Sequence, residues 1–119
     1  MSTSGVIVIS GATGRFSAGI NGPYDPTSET SGGYTVYSKR GDASMCIEHY
    51  GGLWQVKTVS SKGKPVWFAH IAGGCALEAC ASRVWKVQDG ENWVDQPSMK
   101  IVAGPDAERE VSGCCICPT

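Results

Sequence analysis

The chain has 119 residues, a length that suits one domain, with 18% charged residues and a formal net charge of −1. So little positive charge cannot neutralise a phosphate backbone, and the composition therefore excludes a general nucleic-acid binder. Sixteen glycines and six prolines favour turns and short strands over long helices, and no apolar run approaches the ~20 residues of a transmembrane segment.

The first predicted element is a strand over Gly5–Ser10, where β-branched apolar residues follow one another. The next four residues, Gly11–Gly14, read GATG and are similar to the phosphate-binding turn of dinucleotide-binding domains. Ser17, however, stands where the third glycine of that motif belongs, and Pro23 and Pro26 prevent a long helix after it. The motif is therefore interpreted as a strand and a turn, and no cofactor is predicted.

A meander of four strands is predicted between residues 34 and 71. Apolar and aromatic runs there are separated by turn residues, and Gly51-Gly52 is a strong hairpin signal because both glycines can take positive φ. A short strand over Ile20–Asp25, with Pro23 at an edge or a bulge, and a polar loop over residues 26–33 are expected before the meander. The four predicted runs are Tyr34–Lys39, Met45–Tyr50, Leu53–Val59 and Val66–Ile71.

The last third of the chain predicts a short helix over residues 75–82, a hairpin around Asp89-Gly90 and a strand over Met99–Ala103. The whole pattern predicts an all-β fold, a mostly antiparallel curled sheet or open barrel of seven to nine short strands with one short helical insert. Residues 1–104 are assigned to this single small domain, and residues 105–119 to a polar, Cys-rich C-terminal tail.

The aromatic residues are expected to divide between the core and a binding surface. A buried aromatic side chain removes about 150–250 Å² from water, so most of the four tryptophans should lie in the core of so small a domain. The tyrosines tolerate water at their hydroxyl groups and are better suited to an exposed surface. The predicted binding residues are Tyr24, Tyr34, Tyr37, Trp67 and Trp93.

The six cysteines allow three interpretations. Free or structural thiols rank first, and disulfides in an oxidising compartment, among Cys75, Cys80, Cys114, Cys115 and Cys117, rank second. A zinc site ranks third, although thiolates suit zinc and the spacing permits a set of four; its ligands would be Cys75, Cys80, Cys114 and Cys117. The preferred prediction contains no metal.

No catalytic constellation is predicted. Cys46 and His49 suggest a Cys–His nucleophile, but strand alternation places Cys46 and Glu48 on one face and His49 on the other. A buried Cys46 acting as a small apolar residue is the preferred interpretation. Lys57, Lys62 and Lys64 are interpreted as part of a solvated turn, and the chain is predicted not to be an enzyme.

Spaced aromatic and glycine positions give the chain a resemblance to a Trp-rich β module that occurs singly or in arrays in proteins of dinoflagellates, oomycetes and other protists. The resemblance covers about residues 6 to 102, and it departs from the pattern where Met45-Cys46-Ile47 replaces an expected Trp-Leu pair. It implies an interaction or structural module with no assigned activity. The residues that carry it are Ile20-Asn21-Gly22-Pro23-Tyr24-Asp25-Pro26-Thr27, Gly33-Tyr34-x-Val36-Tyr37, Gly41-Asp42, Trp54-Gln55-Val56-Lys57, Lys62-Gly63, Trp67 and Trp85-x-Val87-x-Asp89-Gly90-x-x-Trp93.

The preferred function is a non-catalytic interaction module, an accessory or scaffold subunit that docks on a protein partner or a larger assembly. The first alternative is carbohydrate binding, which requires two exposed aromatic rings on one face with polar groups beside them. The second alternative is a thiol or zinc protein. If Met1 is the native start, a cytoplasmic location is expected; a processed chain would instead belong to an organelle, such as a plastid complex, or be secreted.

Overall fold

The computed structural model describes residues 6–73, 76–77, 84–89 and 92–103. These residues form one nine-stranded antiparallel sheet, with one short helix, α1 (Ser17–Ile20), and one 3-10 turn at Val59–Ser61. The all-β prediction is therefore confirmed. The strands are β1 (Ile7–Ser10), β2 (Gly22–Ser31), β3 (Tyr34–Lys39), β4 (Met45–Tyr50), β5 (Leu53–Thr58), β6 (Ala69–Ala72), β7 (Trp85–Asp89), β8 (Asn92–Gln96) and β9 (Lys100–Ala103).

The sheet is a meander in which the last strand crosses to the first. The order is β8-β7-β6-β5-β4-β3-β2-β1-β9, so β8 and β9 are its two edges. Only residues 97–99 separate these edge strands along the chain, and three residues span at most about 14 Å between Gln96 and Lys100. β8 and β9 stand at opposite ends of the strand order, yet the end of β8 lies close to the start of β9. The sheet must therefore curl into a half-barrel.

Glycine conformations explain the tight turn between β4 and β5. Gly51 has φ +60° and Gly52 has φ +83°, values that only glycine adopts at little cost. The strands on either side pair in unbroken register from Met45↔Thr58 to Tyr50↔Leu53. This hairpin, and the pairing of β7 with β8, confirm the two hairpins predicted from Gly-Gly and Asp-Gly.

The core fills the concave side of the sheet, which is called the inner face below. Trp54 and Trp85 are both buried there, on β5 and β7. Two short sequences share a Trp-x-Val pattern, Trp54-Gln55-Val56 and Trp85-Lys86-Val87. The register Val56↔Ala69↔Val87 places them at equivalent positions on either side of β6. The sequence similarity between β5 and β7 thus follows from equivalent places in one curled sheet.

Strand β2 is longer than predicted, and it lies between β1 and β3 instead of at an edge of the sheet. It runs to Ser31, so the polar loop expected over residues 26–33 is wrong; a register shift between Pro26 and Thr30 accommodates the irregular sequence. Pro23 also lies inside the sheet rather than at an edge. Its carbonyl accepts from Arg40 N (2.8 Å), so its missing N–H falls at the end of the β2–β3 ladder, where one bond at most is lost.

Two predictions fall outside the described residues. The helix over residues 75–82 lies there except for Ala76 and Leu77, and so does the tail over residues 105–119. The four-residue helix α1 instead follows the GATG turn, and β2 begins two residues after it. In the described part of the chain, no helix has the length and apolarity to cross a membrane.

Candidate functional site

The outer face of the sheet, opposite the core, differs between its two halves. On β4 and β5 the segment of residues 59–68 covers it, and Glu48, Gln55 and Lys57 are all buried. On β6 to β8 the outer face carries the cross-strand row His70↔Lys86↔Asp95 and remains accessible. Because side chains alternate along a strand, Gln88 and Trp93 lie on this same face.

Three aromatic side chains meet on this accessible half. The rings of Trp67 and Trp93 are stacked, with centroids 5.9 Å apart and 29° between their planes. The His70 ring lies edge-on to both, 5.7 Å from Trp67 and 4.8 Å from Trp93. Trp93 is 41% exposed, an unusual exposure for a residue of that size.

The aromatic group lines a shallow groove of about 330 Å³. Val66, 55% exposed, adds a second apolar side chain to the wall. The groove is at the low end of the volumes that hold small ligands, about 300–1,000 Å³, and is large enough for one or two side chains of a partner. It is called the Trp93 surface below, and its residues are Pro65, Val66, Trp67, His70, Gln88 and Trp93.

A second depression of about 190 Å³ adjoins the Trp93 surface. Its walls are mainly apolar, unlike the mixed walls of the first groove, and it includes Val84, which is 51% exposed. His70 and Lys86 line this second depression, and the His70 ring also contacts Trp67 and Trp93. The accessible outer face therefore combines a groove of mixed polar and apolar lining with a mainly apolar depression beside it.

The electrostatics of this face are nearly neutral. Lys86 and Asp95 pair at 2.6 Å, and both side chains are about half exposed or more. Burial, followed by the charge of Lys86, lowers the pKa of His70, so His70 is neutral at pH 7. A surface without net charge suits a protein or a sugar better than a polyanion.

One hydrogen bond fixes the chemical form of His70. Trp67 Nε1 donates to His70 Nδ1 at 2.8 Å, and an indole nitrogen is a donor only. Nδ1 must therefore carry a lone pair, and the proton of neutral His70 sits on Nε2. The bond also holds the Trp67 ring against β6.

Of the five predicted binding residues, Trp67 and Trp93 lie together on the Trp93 surface. Tyr24 is wrong as an exposed aromatic residue: it is fully buried, and its hydroxyl donates to Ile20 O at 2.7 Å. Burial raises the pKa of this phenol. Tyr24 serves the core because β2 lies between β1 and β3, not at an edge.

Tyr37 and Tyr34 belong to the inner face instead. Tyr37 is only 8% exposed, so its predicted exposure is wrong too; it packs on Trp54 with centroids 6.4 Å apart. Tyr34 is half-buried and contacts His49 (4.7 Å) and Trp54 (5.4 Å). A tyrosine hydroxyl tolerates water but does not require it, and the wide core needs these rings.

The residues that sequence reasoning missed are His70, Val66 and Gln88. His70 stands between the buried residues Ala69 and Ile71, and this alternation would have placed it on the outer face. The hairpin predicted around Asp89-Gly90 likewise sets Gln88 opposite Trp93, as the pairing of β7 with β8 has it. Both signals were present in the sequence.

Cys46 does not have the properties of a nucleophile. It is 1% exposed, and burial, followed by the charge of Glu48, raises the pKa of its thiol to about 11. The thiol is therefore protonated at neutral pH. His49 contacts Tyr34 and Trp54, and its Nε2 lies 2.7 Å from Gly73 O, as the opposite-face prediction requires.

The cysteines proposed for zinc or disulfides, Cys75, Cys80, Cys114, Cys115 and Cys117, lie outside the described residues. Within the described ranges, no group of three or more His, Cys, Asp or Glu side chains is arranged to hold a metal ion.

Comparison with known proteins leaves the fold and this surface as the basis for functional inference. No protein-family model matches the chain, and neither curated proteins nor solved structures give a match. The described residues form a small curled antiparallel sheet with an exposed aromatic surface on its outer face.

Proposed function

We propose that the chain is a non-catalytic interaction module, an accessory or scaffold subunit that docks on a protein partner through the Trp93 surface. One observation carries the proposal: Trp93 is 41% exposed and stacked on Trp67, in a domain that buries Trp54 and Trp85 almost completely. A large ring that is already held rigidly in the free protein loses little further conformational freedom on binding. It is therefore a favourable anchor for a partner.

The shape of the surface supports a protein partner over a polysaccharide. The Trp67 and Trp93 rings stack on each other, so Trp93 covers one face of Trp67 instead of extending a flat track for successive sugars. The mixed groove at Trp93 and the mainly apolar depression beside it suit the varied side chains of a protein partner. Tryptophan is one of the residue types most enriched at the hot spots of protein interfaces.

The resemblance to the Trp-rich β modules of protists supports the same proposal. Those modules occur singly or in arrays and have no assigned activity, which implies an interaction or structural role. The Asp89-Gly90 hairpin and Trp93 are among the positions that carry the resemblance. A module of that kind needs a binding face, and the Trp93 surface supplies one.

The test compares Trp93→Ala with Val59→Ala, a change at a valine that is 36% exposed and lies outside the Trp93 surface. A protein captured with the wild-type chain from the source cell is purified, and its dissociation constant is measured by calorimetry for each variant. Loss of an aromatic anchor is expected to weaken binding by about 30-fold or more, and Val59→Ala by less than about threefold. Equal affinities for the wild type and Trp93→Ala would refute the proposal.

Carbohydrate binding is the second candidate, because the exposed Trp93 lies beside the half-buried Trp67, with Gln88, Lys86 and Asp95 near them, which meets its requirement in part. Neutral hexasaccharides of glucose and of N-acetylglucosamine are titrated while tryptophan emission is recorded. Saturable quenching that Trp93→Ala abolishes and Trp93→Phe retains would favour this candidate. No change at millimolar sugar would exclude it for these ligands.

A further inference from the structure

The backbone of β8 leaves a defined set of hydrogen-bonding groups at the sheet edge. Gln88 N donates to Phe68 O at 2.8 Å, so the backbone groups of Gln88 point toward β6. Along an antiparallel strand, the backbone N–H and C=O groups of successive residues point to opposite sides. The backbone groups of Val87 therefore point toward β8, where Val87 pairs with Val94. It follows that the N–H and C=O groups of Trp93 and Asp95 point outward, where no described strand pairs with β8.

Among the described residues, β8 carries few of the devices that usually prevent strand pairing. The sequence Asn-Trp-Val-Asp-Gln contains no proline, no lysine and no glycine for a bulge. Its charged residue, Asp95, is already paired with Lys86. Trp93 and Val94 are each 41% exposed and lie on opposite faces of the strand.

Strand β9, the other edge of the sheet, does not pair with the outward backbone groups of β8. Strands β8 and β9 are joined through residues 97–99, as in a hairpin, but β9 pairs with β1. The Gln96 end is fastened instead to the turn after β1, because Gln96 Nε2 donates to Thr13 O and Gln96 Oε1 accepts from Thr13 N, both at 2.9 Å. The Asn92 end of β8 has no such attachment among the described residues.

We infer that the free edge of β8 binds an extended peptide segment of a protein partner, which adds a tenth strand to the sheet beside the Trp93 surface. This inference rests on the proposed protein-docking function. The outward groups of Trp93 and Asp95 supply two donors and two acceptors in strand register, and only an extended backbone matches that pattern. The occupant is therefore a peptide strand and not a helix.

The side chains of β8 predict the peptide sequence. Cross-strand neighbours on one face interact directly, so Asp95 favours a basic residue opposite it, Val94 a β-branched residue, and Trp93 an aromatic residue. β7, the strand on the other side, shows two of these three preferences: Lys86 faces Asp95 and Val87 faces Val94, whereas Gln88 faces Trp93. In an antiparallel peptide the predicted order is Lys-Val-Phe.

The first test uses synthetic peptides on the full chain. The probe is acetyl-Thr-Lys-Val-Phe-Thr-amide, which has no tryptophan, so the emission of the protein reports binding. N-methylation of Lys and Phe removes the N–H groups that would donate to β8, and N-methylation of Val removes one that points away. The doubly methylated peptide is expected to bind at least about tenfold more weakly than the probe, and the Val-methylated peptide within about twofold.

The second test changes the protein edge. Asp95→Pro removes an outward N–H, and the matched variant Asp95→Asn keeps it while removing the same charge. Amide NMR spectra establish that both variants fold. Asp95→Pro is expected to bind the probe at least about fivefold more weakly than Asp95→Asn.

The outcomes separate this inference from the proposed function. Absence of probe binding at millimolar concentration, or equal loss from the two methylation patterns, overturns strand addition. If the purified partner still requires Trp93 but binds Asp95→Pro and Asp95→Asn equally, docking on the Trp93 surface stands and the edge inference fails. If neither change affects the partner, both fail.

Discussion

Lys57 is fully buried, although the sequence suggests a residue of a solvated turn. Its ammonium group contacts Glu48 Oε2 (2.5 Å) and donates to Lys64 O (3.0 Å), and it lies 5.0 Å from the Tyr50 ring centroid. Gly63 N donates to the same Glu48 oxygen at 2.9 Å. The ion pair therefore fastens the segment that leads to Trp67 onto the sheet, which connects a buried charge to the shape of the Trp93 surface.

Removing one member of this pair should be costly. Lys57→Met leaves Glu48 buried without its cation, which is expected to lower the free energy of unfolding by about 3–5 kcal/mol. The double variant Lys57→Met/Glu48→Leu should recover most of the loss, since it buries no unpaired charge. Lys86→Met, at an exposed pair, should cost less than about 1 kcal/mol. Urea unfolding measures all three, and equal losses at Lys57 and Lys86 would contradict the argument.

Acid should weaken the fold through His70. The charged groups that face it are Lys86 and, paired with Lys86, Asp95; Trp67 and Trp93 cover it. Its folded-state pKa is lowered from 6.5, so between the two values the unfolded chain binds more protons and stability rises with pH. The stability that the neutral form of His70 permits is present in full above about pH 6.5, and it is lost as the pH falls toward the lowered pKa of the folded state.

The measurement is the urea midpoint at pH 8 and at pH 5, for the wild type and for His70→Gln. The neutral amide of Gln can still accept from Trp67 Nε1 and does not titrate in this range. The wild type is expected to lose more stability on acidification than His70→Gln does. An identical loss in both proteins would assign the pH dependence to other groups.

At the scale of elements, the corner after β1 joins two turns through close backbone contact. Gly11 has φ +79°, and a Cβ placed there would overlap the carbonyl oxygen of Ser98. Ser98 Oγ in turn donates to Gly11 O at 2.8 Å. The turn after β1 and the β8–β9 link thus lock together only because Gly11 has no side chain.

Gly14 is a matched control for this corner. It has φ +97°, but a Cβ there meets nothing within 4 Å. Gly14→Ala should therefore cost only the strain of a left-handed backbone, about 1–2 kcal/mol. Gly11→Ala adds a backbone clash and should cost clearly more, with a lower melting temperature in a thermal scan. Similar melting temperatures for the two variants would show that the Ser98 contact yields easily.

The sequence predicted the strands well where turn chemistry marked their ends. β4 and the start of β5 follow the Gly51-Gly52 signal, and the pairing of β7 with β8 follows Asp89-Gly90. β2 and β6 were placed less well, because Pro26 and the long segment before Ala69 give no local signal for a register shift or for a crossing of the outer face. Those features are set by neighbouring strands.

At the scale of the whole molecule, the exposed pair could be predicted only in part. All four tryptophans sit in similar β-prone sequences, and local sequence encodes neither the pairing of β9 with β1 nor the direction in which the sheet curls. Once the concave face is set, Trp54 and Trp85 point inward, while Trp93 lies on the outer face with His70. The tyrosine errors have the same origin, because a half-barrel has a larger interior than a flat sheet.

The pairing of β1 with β9 has a mechanical consequence. Ile7 lies opposite Ala103, and the ladder continues to Ser10↔Lys100. Tension applied to the chain before residue 7 and after residue 103 therefore enters at the same end of two antiparallel strands. Under such a load the rungs break one after another, instead of sharing the force as they would in shear. The domain should thus open at low force when it is pulled along its chain, and the first strands to separate should be β1 and β9.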